Sequence, residues 1–272
     1  MRALCFTVDL DRDVNAPSAS PCAAGSLEGG AVGEPRFSSS AEGLGVLSRM
    51  LGDLGVEATF FAEGRTLGRV DASLLDGHEV GAHGFDHEDF SLLDGEGIAR
   101  ALSASARAVE EATGSRPVSF RAPYMKAPPA LISMLPGMGF EVDSSEYARI
   151  SPSMIPSELP GGVARIPVPE GEDESGGRIA AYLWPMHEGR RRPGDYLRLA
   201  SRMEEGALCI ATHTWHMVES RASGRMSPGR AEGNARDVEA VLSGLLDMGF
   251  EPMPVRAAAG LWRGPRPSPG KI

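Results

Sequence analysis

Acids and histidines at the ends of apolar segments are the residues most capable of chemistry. Asp9 and Asp11 close the segment "ALCFTVDLD", and His83 and His87 follow the apolar segment "HEVGA". If the first segment is a strand, Asp9 and Asp11 lie on one face, because side chains alternate with a period of two. One carboxylate could then complete a two-histidine, one-carboxylate metal site while the other stays free as a base. A hydrolytic metal needs such an open arrangement of three ligands and water.

The spacing of the histidines is compatible with a metal site but does not establish one. If "HGFDH" is helical, the imidazoles of His83 and His87 lie on one face and can bind one ion. Two unrelated surface histidines would have the same spacing. The pair His78 and His83 resembles a zinc-protease motif but is one residue too long, so His78 is assigned to a turn before the strand. Asp13 is assigned to the solvated end of the first strand.

Three further side chains could act on a substrate. Arg121 in "FRAPY" could pair with a catalytic carboxylate, keep it ionised and orient it. His213 in "CIATHTWH" could protonate a leaving group, since the ordinary pKa of histidine lies near neutrality. Trp215 is a candidate platform for stacking a sugar, although a tryptophan more often packs in the core. His216 is assigned to a supporting or surface position.

The elements that would position these groups alternate along the chain. Apolar strand-like segments alternate with helical ones, which is typical of a parallel sheet covered by helices. We therefore expect an α/β barrel-like domain of seven or eight strands over residues 1–262, with a disordered tail at 263–272. Residues 12–40 are predicted to form a long functional loop. In such barrels the carboxyl ends of the strands face one mouth, so the candidate residues should converge there.

Composition excludes several classes of protein. The 272 residues carry a formal net charge of -10, which argues against a nucleic-acid partner. Cys5, Cys22 and Cys209 show no metal-binding spacing and are interpreted as reduced structural thiols. No apolar segment is long enough to span a membrane, and the N-terminus lacks a secretion-signal pattern, so we expect a cytoplasmic protein. The expected partner is a small-molecule or glycan substrate, and homo-oligomerisation is left open.

Four of these motifs occur in a familiar order. "TVDLD", "GHEVGAHGFDH", "FRAPY" and "CIATHTW" resemble the first, second, third and fifth motifs of the polysaccharide deacetylase family (NodB homology, carbohydrate esterase family four). "VEATFFAEG" and "GFEVDSS" resemble its intervening strands. The resemblance extends over residues 3–256 and implies a distorted (β/α) barrel of the NodB type. The D-x-D form of the first motif is similar to the non-secreted branch, which includes allantoinase-like amidohydrolases.

The resemblance also implies roles for individual residues. It makes Asp11, His83 and His87 the ligands of one divalent metal ion, most often zinc, although cobalt, nickel or iron suits the same ligand set. The other implied roles are Asp9 as general base, Arg121 as its orienting partner, His213 as candidate acid, and Tyr124 as a lining residue whose backbone N–H binds the oxyanion.

Three features of the sequence depart from the family pattern. Met125 stands where a glycine is expected after the third motif. An acid usually found after the "DSS" strand is missing from "DSSEYARI", which removes the expected partner of His213. Val8 and Leu10 replace the aromatic residue and adjacent acid of secreted members.

The expected activity is metal-dependent hydrolysis of a non-peptide C–N bond. N-deacetylation of an N-acetylated amino sugar or glycan is the first hypothesis. A cyclic imide or ureide amidohydrolase acting on a small cytoplasmic substrate is the alternative, and a catalytically silent carbohydrate-binding protein is a third. An open groove would favour a glycan chain, whereas a closed pocket would favour a small amide.

Overall fold

The computed structural model describes residues 1–16 and 24–262 of the chain. In these two ranges the strands are β1 (Arg2–Leu10), β2 (Asn15–Ala16), β3 (Gly25–Glu28), β4 (Ala31–Gly33), β5 (Thr59–Ala62), β6 (Glu79–Ala82), β7 (Ser119–Phe120), β8 (Val142–Asp143), β9 (Tyr147–Arg149), β10 (Ser153–Met154), β11 (Ser157–Leu159), β12 (Val163–Arg165), β13 (Val168–Glu172), β14 (Arg178–Ala180), β15 (Glu205–His213), β16 (Glu219–Ser220), β17 (Gly224–Arg225) and β18 (Glu251–Pro252). The helices are α1 (Ser38–Leu54), α2 (Gly64–Leu67), α3 (Gly95–Thr113), α4 (Pro129–Met134), α5 (Trp184–His187), α6 (Pro193–Ala200), α7 (Pro228–Asp247) and α8 (Val255–Trp262).

The main sheet is a curled, half-barrel sheet built around β1 and β15. Its strand order is β10-β15-β1-β5-β6-β7-β8-β12-β11, with β18 paired to the start of β1. Neighbours from β10 to β12 are parallel, and only β11 is antiparallel to its neighbour. This continuous parallel path contains eight strands. The predicted α/β class and distorted barrel are therefore confirmed.

The two longest strands form the centre of the core. Every residue of β1 after Arg2 is buried, and so is every residue of β15 after Glu205. Strands that are apolar on both faces pack well in a parallel sheet whose two faces are both covered. Their register places Asp9 beside His213, so two predicted site residues lie on adjacent strands.

The covering helices follow the sequence patterns. In α1, Leu44, Leu47 and Leu51 are fully buried, and Gly55 ends the helix with a φ of 64°. A left-handed residue at this position favours glycine, because other residues incur a steric cost from their Cβ atom. In α3, the Asp94 side chain accepts a hydrogen bond from the Gly97 N–H at 2.7 Å and caps the first turn. None of the described helices has the length and apolar character needed to cross a bilayer.

Two regions differ from the sequence-based interpretation. The predicted loop at 12–40 contains a small antiparallel sheet of β2, β3 and β4 before α1 begins. The apolar segment "ARIPVP" has the pattern of a single strand but contributes to both β12 and β13, which belong to different sheets. Cys22 and the tail at 263–272 lie outside the described residues, and the single-domain assignment stays a prediction.

A second sheet stands above the carboxyl ends of the main strands. Its order is β14-β13-β9. After β14 the chain runs alongside β15, and Tyr182 forms an isolated parallel bridge with Ala211 of that strand. This sheet therefore supplies side chains to the mouth of the barrel.

Candidate active site

The candidate residues converge on one cavity at the carboxyl ends of the parallel strands. Asp9 comes from the end of β1, His83 follows β6, Tyr124 follows β7, and His213 ends β15. All four line a cavity of about 290 Å³. The predicted convergence follows from the topology, because parallel strands place their carboxyl ends on one side of the sheet.

Asp11, His83 and His87 form a compact buried cluster. One ligand atom from each lies within 4.8 Å of the others. The Nε2 atom of His87 is 3.1 Å from Oδ2 of Asp11. The Nδ1–H of His83 donates to the Arg121 carbonyl at 2.8 Å, which fixes its tautomer and leaves Nε2 as a lone-pair donor.

The histidines are brought together by a turn rather than by the helix considered above. Gly84 has a φ of 75° and His87 a φ of 51°. The left-handed backbone at Gly84 favours glycine, and a Cβ there would also displace the Glu88 carboxylate, whose Oε2 would lie 2.6 Å away. The same Glu88 oxygen accepts the Phe85 N–H at 3.0 Å and closes the turn. His78 forms a turn before β6, as predicted, and accepts the Ala58 N–H at 3.3 Å.

The cluster fits a divalent cation. Burial lowers the pKa of His83 and of His87 to about 4, so both imidazoles are neutral at pH 7 and have lone pairs for a metal. Burial and the charge of Asp9 raise the pKa of Asp11 well above its usual range. Oδ1 of Asp11 is buried without a hydrogen-bond partner. A buried carboxylate of this kind is stabilised by a positive charge.

Asp9 is held ionised by a buried arginine. Nη1 of Arg121 donates to Oδ1 of Asp9 at 2.8 Å, and Nε of Arg121 donates to the Ser144 carbonyl at 3.0 Å. Burial raises the pKa of Asp9, but the charge of Arg121 and the hydrogen bond from Tyr182 oppose this, and the pKa falls to about 2. Asp9 is therefore a carboxylate whose proton affinity depends on Arg121.

Tyr182 connects Asp9 to His213, and sequence reasoning missed it. Its hydroxyl donates to Oδ2 of Asp9 at 2.6 Å and lies 3.0 Å from Nε2 of His213. Because the single hydroxyl proton is used on Asp9, Nε2–H of His213 donates to the tyrosine oxygen. The expected acid after β8 is absent, and Tyr182 is the polar partner that His213 has instead. No local pattern in "AAYLWPMHEG" indicated this role.

His213 is a neutral imidazole in this arrangement. Burial and the neighbouring His216 lower the pKa of His213 well below its usual range. It can therefore protonate a leaving group only after it has received a proton itself.

The tryptophan at the cavity is Trp184, not Trp215. Trp215 is fully buried and does not line the cavity, because it packs edge-on beneath Trp184 with ring centroids 5.5 Å apart. The Trp184 ring is partly exposed, lines the cavity and lies 5.4 Å from the ring of His213. His216 is also fully buried, and its Nε2 is 3.3 Å from Oε1 of Glu188. The placement of Trp215 in a substrate-binding position is thus corrected.

The third motif has an unusual backbone. Tyr124 and Met125 have φ values of 59° and 57°, which are sterically unfavourable for residues other than glycine. This explains why a glycine was expected at position 125. Both residues line the cavity, and the Tyr124 ring packs edge-on against His87 with centroids 4.7 Å apart.

Asp13 is a buried helix cap rather than a solvated acid. Its two carboxylate oxygens accept the N–H groups of Ser39 at 3.0 Å and Ser40 at 2.7 Å. These N–H groups belong to the first turn of α1, where a negative charge is favourable. The hydroxyl of Ser40 donates in turn to the Asp11 carbonyl, so α1 supports the backbone at Asp11.

Comparison with known proteins identifies a related family. Residues 45–142 match the family model described as polysaccharide deacetylase. Over this segment the chain is similar to polysaccharide deacetylases. The matched deacetylase segment includes His83, His87, Arg121 and Tyr124, whereas Asp9, Asp11 and His213 lie outside it.

Individual relatives agree with this family. A chitin deacetylase from a Pestalotiopsis species is 32% identical over 103 residues, which are 34% of this chain and 34% of that protein. The alignment thus covers about a third of each protein. A Mycobacterium smegmatis protein assigned as a polysaccharide deacetylase has a TM-score of 0.67 at 22% identity, over 100% of this chain and 93% of that one. The PuuE allantoinase has a TM-score of 0.65 at 15% identity, over 98% and 92% of the two chains. These structures show that the deacetylase fold extends over the whole described chain.

Proposed function

We propose that this protein is a metal-dependent hydrolase that removes the acetyl group from an N-acetylated amino sugar or glycan. The observation that carries the proposal is the cluster of Asp11, His83 and His87 in one cavity with the paired Asp9 and Arg121. The chitin deacetylase named above supports an acetylated sugar as the substrate class.

Asp11, His83 and His87 would hold the ion, and zinc is the proposed metal. Two imidazoles and a carboxylate suit zinc and leave coordination positions for water and substrate. When bound, such an ion polarises the amide carbonyl and makes a bound water more acidic.

Asp9 would take a proton from the attacking water. Arg121 keeps Asp9 ionised and holds its Oδ1, so the proton is accepted at Oδ2, which has a second lone pair beside the tyrosine hydrogen bond. General bases of this kind contribute typically about 10²- to 10⁴-fold to a rate. The family resemblance assigns the Tyr124 backbone N–H to the developing oxyanion.

His213 would deliver a proton to the departing nitrogen. Its Nε2 lies 3.0 Å from the Tyr182 hydroxyl, and that hydroxyl is 2.6 Å from Asp9. In this pair Nε2 already carries the proton that it donates to the tyrosine oxygen, so His213 would act as the acid only after a second proton reaches its Nδ1. Trp184, next to His213, would offer its ring face to the substrate.

The size of the cavity favours a small substrate. It is also compatible with the second candidate function, hydrolysis of a cyclic imide or ureide. A volume of about 290 Å³ is at the lower end of the range for small-molecule sites. Residues of β9 and β14 form part of its wall. A single amino sugar or a chain end fits this description, and so does a cyclic imide or ureide.

The purified protein is tested with zinc on acetylated amino sugars and on small cyclic imides. We expect acetate release that a chelator abolishes and added zinc or cobalt restores. Ring opening without acetate release would replace the first function by the second. No turnover of either class with any of the four metals would support the silent binding protein and contradict hydrolysis.

A further inference from the structure

A buried ion pair lies beside the proposed metal cluster. Arg12 directly follows Asp11 in the chain, and Glu63 directly follows β5. Both side chains are fully buried, and they pair through Nη2 of Arg12. Nε of Arg12 also donates to Oε1 of Glu63 at 3.1 Å, and the Arg12 backbone N–H donates to Oε2 at 2.9 Å. Glu63 is thus bound to both the backbone and the side chain of the residue that follows Asp11.

The same guanidinium reaches the turn that contains the two histidines. Nη2 of Arg12 donates to Oδ1 of Asp86 at 2.6 Å. Asp86 belongs to "HGFDH", between His83 and His87. Nη1 of Arg12 donates to the Ala24 carbonyl, so each nitrogen of the guanidinium has an acceptor in the protein. Arg12 therefore connects the end of β1 directly to the histidine turn.

This connection crosses the same strands as the proposed metal cluster. In the main sheet β5 lies between β1 and β6. Asp11 follows β1 and the two histidines follow β6, so an ion would link the two strands across β5. Arg12, Glu63 and Asp86 follow β1, β5 and β6 in turn, and their side chains make that link through hydrogen bonds. We call these three residues the clamp.

The start of α2 also holds the histidine turn. The Gly64 N–H donates to the Gly84 carbonyl at 3.1 Å, and the next N–H along the chain donates to the Phe85 carbonyl at 2.9 Å. These backbone bonds come directly after Glu63. The segment that carries Glu63 is therefore attached to the end of β1 on one side and to the histidine turn on the other.

A contribution to stability does not explain why this ion pair is buried. Burial removes both charges from water, and the attraction between them often does no more than offset this cost. Apolar residues of similar volume are often at least as stabilising in such positions. An ion pair of this kind adds direction, because the planar guanidinium makes several hydrogen bonds at fixed angles. The contacts of Arg12 are therefore better explained by a requirement for position.

We propose that Arg12, acting through Glu63 and Asp86, is a positioning residue for the proposed metal ligands. It holds the end of β1 at the distance from the histidine turn at which Asp11, His83 and His87 can bind one ion. The inference rests on the proposed metal-dependent function. Side chains that orient metal ligands from outside the coordination sphere typically contribute about 10- to 100-fold to metal affinity.

Two variants weaken the clamp from opposite ends. Arg12→Lys keeps the charge but loses the planar set of donors, and Asp86→Ala removes the acceptor on the histidine turn. The zinc Kd of each full-length variant is measured by competition with a chromophoric chelator, beside the native protein. We expect Kd to rise by about 10-fold or more in both variants. The visible absorption of the cobalt-loaded protein should change as well, because it reports the geometry of the ligands.

Asp173→Ala is the matched control for Asp86→Ala. Asp173 pairs with Arg191 outside the clamp, and its side chain is 17% exposed, against 15% for Asp86. The two alanine variants should lose similar free energies of unfolding, measured with denaturant on the metal-free proteins. Only Asp86→Ala should change the zinc Kd and the cobalt absorption. This comparison separates the position of the ligands from general stability.

Zinc affinity and acetate release are measured separately, so the inference and the proposed function can fail independently. Weaker zinc binding by the clamp variants, without acetate release by the native protein, would retain the inference and overturn deacetylation. Acetate release by the native protein, with a native zinc Kd in either clamp variant that folds, would retain deacetylation and overturn the inference. An equal rise of Kd in Asp173→Ala, or no zinc binding by the native protein, would also overturn it. If Arg12→Lys does not fold, Asp86→Ala decides the outcome, because its side chain is partly exposed.

Discussion

At the scale of single residues, the site depends on how Asp9 and Asp11 are distinguished. The two acids are two positions apart on one strand, yet the structure surrounds them differently. Asp9 contacts Arg121 and Tyr182, whereas Asp11 lies against two neutral imidazoles and has an unpartnered oxygen. Their different partners explain why one can act as a base and the other as a metal ligand.

Asp9→Asn should retain the metal and lose turnover. The amide preserves shape but cannot accept the proton of the attacking water, so we expect kcat to fall by at least about 100-fold. Metal content is measured on the same sample by elemental analysis. Asp53→Asn, at an exposed position of α1, is the control and should keep both. A near-native rate for Asp9→Asn would exclude it as the base.

Tyr182→Phe should lower kcat by about tenfold with little change in KM. Burial and the charge of Asp9 raise the pKa of Tyr182 well above its usual range, so its hydroxyl stays a donor to Asp9. Removing that donor leaves a buried carboxylate oxygen without its partner.

Tyr196→Phe is the companion variant for Tyr182→Phe. Tyr196 is also buried and does not line the cavity, and its hydroxyl donates to the backbone carbonyl of Tyr182 at 3.2 Å. Its variant should lose stability and keep kcat, because the Tyr182 hydroxyl is retained. Equal kcat losses in the two variants would mean that Tyr182 acts through general packing.

At the scale of elements, the strands bring the candidate catalytic groups together and the connecting segments orient them. The register of β1 against β15 sets Asp9 beside His213, whereas a glycine turn after β6 aligns His83 and His87. The N-terminus of α1 is bound to Asp13 and, through Ser40, to the backbone of Asp11. A substitution that loosens the N-terminus of α1 should therefore also displace Asp11 from His83 and His87.

Asp13→Ala should lower the free energy of unfolding by about 1 to 2 kcal/mol, as for loss of a helix cap. It should also weaken zinc binding, because α1 supports Asp11. Denaturant unfolding and zinc titration measure the two effects. Asp94→Ala removes the cap of α3, away from the cavity, and should cost a similar free energy without changing zinc affinity. Unchanged zinc affinity in Asp13→Ala would contradict the coupling.

At the scale of the whole molecule, the cluster of Asp11, His83 and His87 joins distant parts of the chain. Asp11 directly follows β1, and His83 and His87 follow β6. An ion bound to all three would link two strands that are separated by β5. Binding to the folded state alone stabilises that state. The stability that the folded state gains should therefore rise with the logarithm of the ratio of metal concentration to Kd.

Zinc should raise the melting temperature of the metal-free protein by roughly 5 to 10 °C at about 100-fold excess over Kd. A chelator should reverse the shift. Asp11→Asn should show no zinc-dependent shift, because it removes one ligand and keeps the side-chain volume. An equal shift in Asp11→Asn and the native chain would place the ion elsewhere.

The sequence by itself determined the order of elements and the residues at the strand ends. Apolar runs and helical periods are local properties, so β1, β15, α1 and α3 could be predicted from them. Parallel topology then made the convergence of Asp9, His83 and His213 predictable, since parallel strands share one carboxyl edge.

Only the tertiary structure decided what surrounds those residues. Trp184 rather than Trp215 faces the cavity because the turn after β15 packs beneath α5, and nothing local distinguishes the two rings. Tyr182 comes from the irregular stretch after the second sheet, which has no periodicity to reveal its position. Its hydroxyl contacts Asp9 and His213, which are distant in the chain, and the fold alone specifies those contacts.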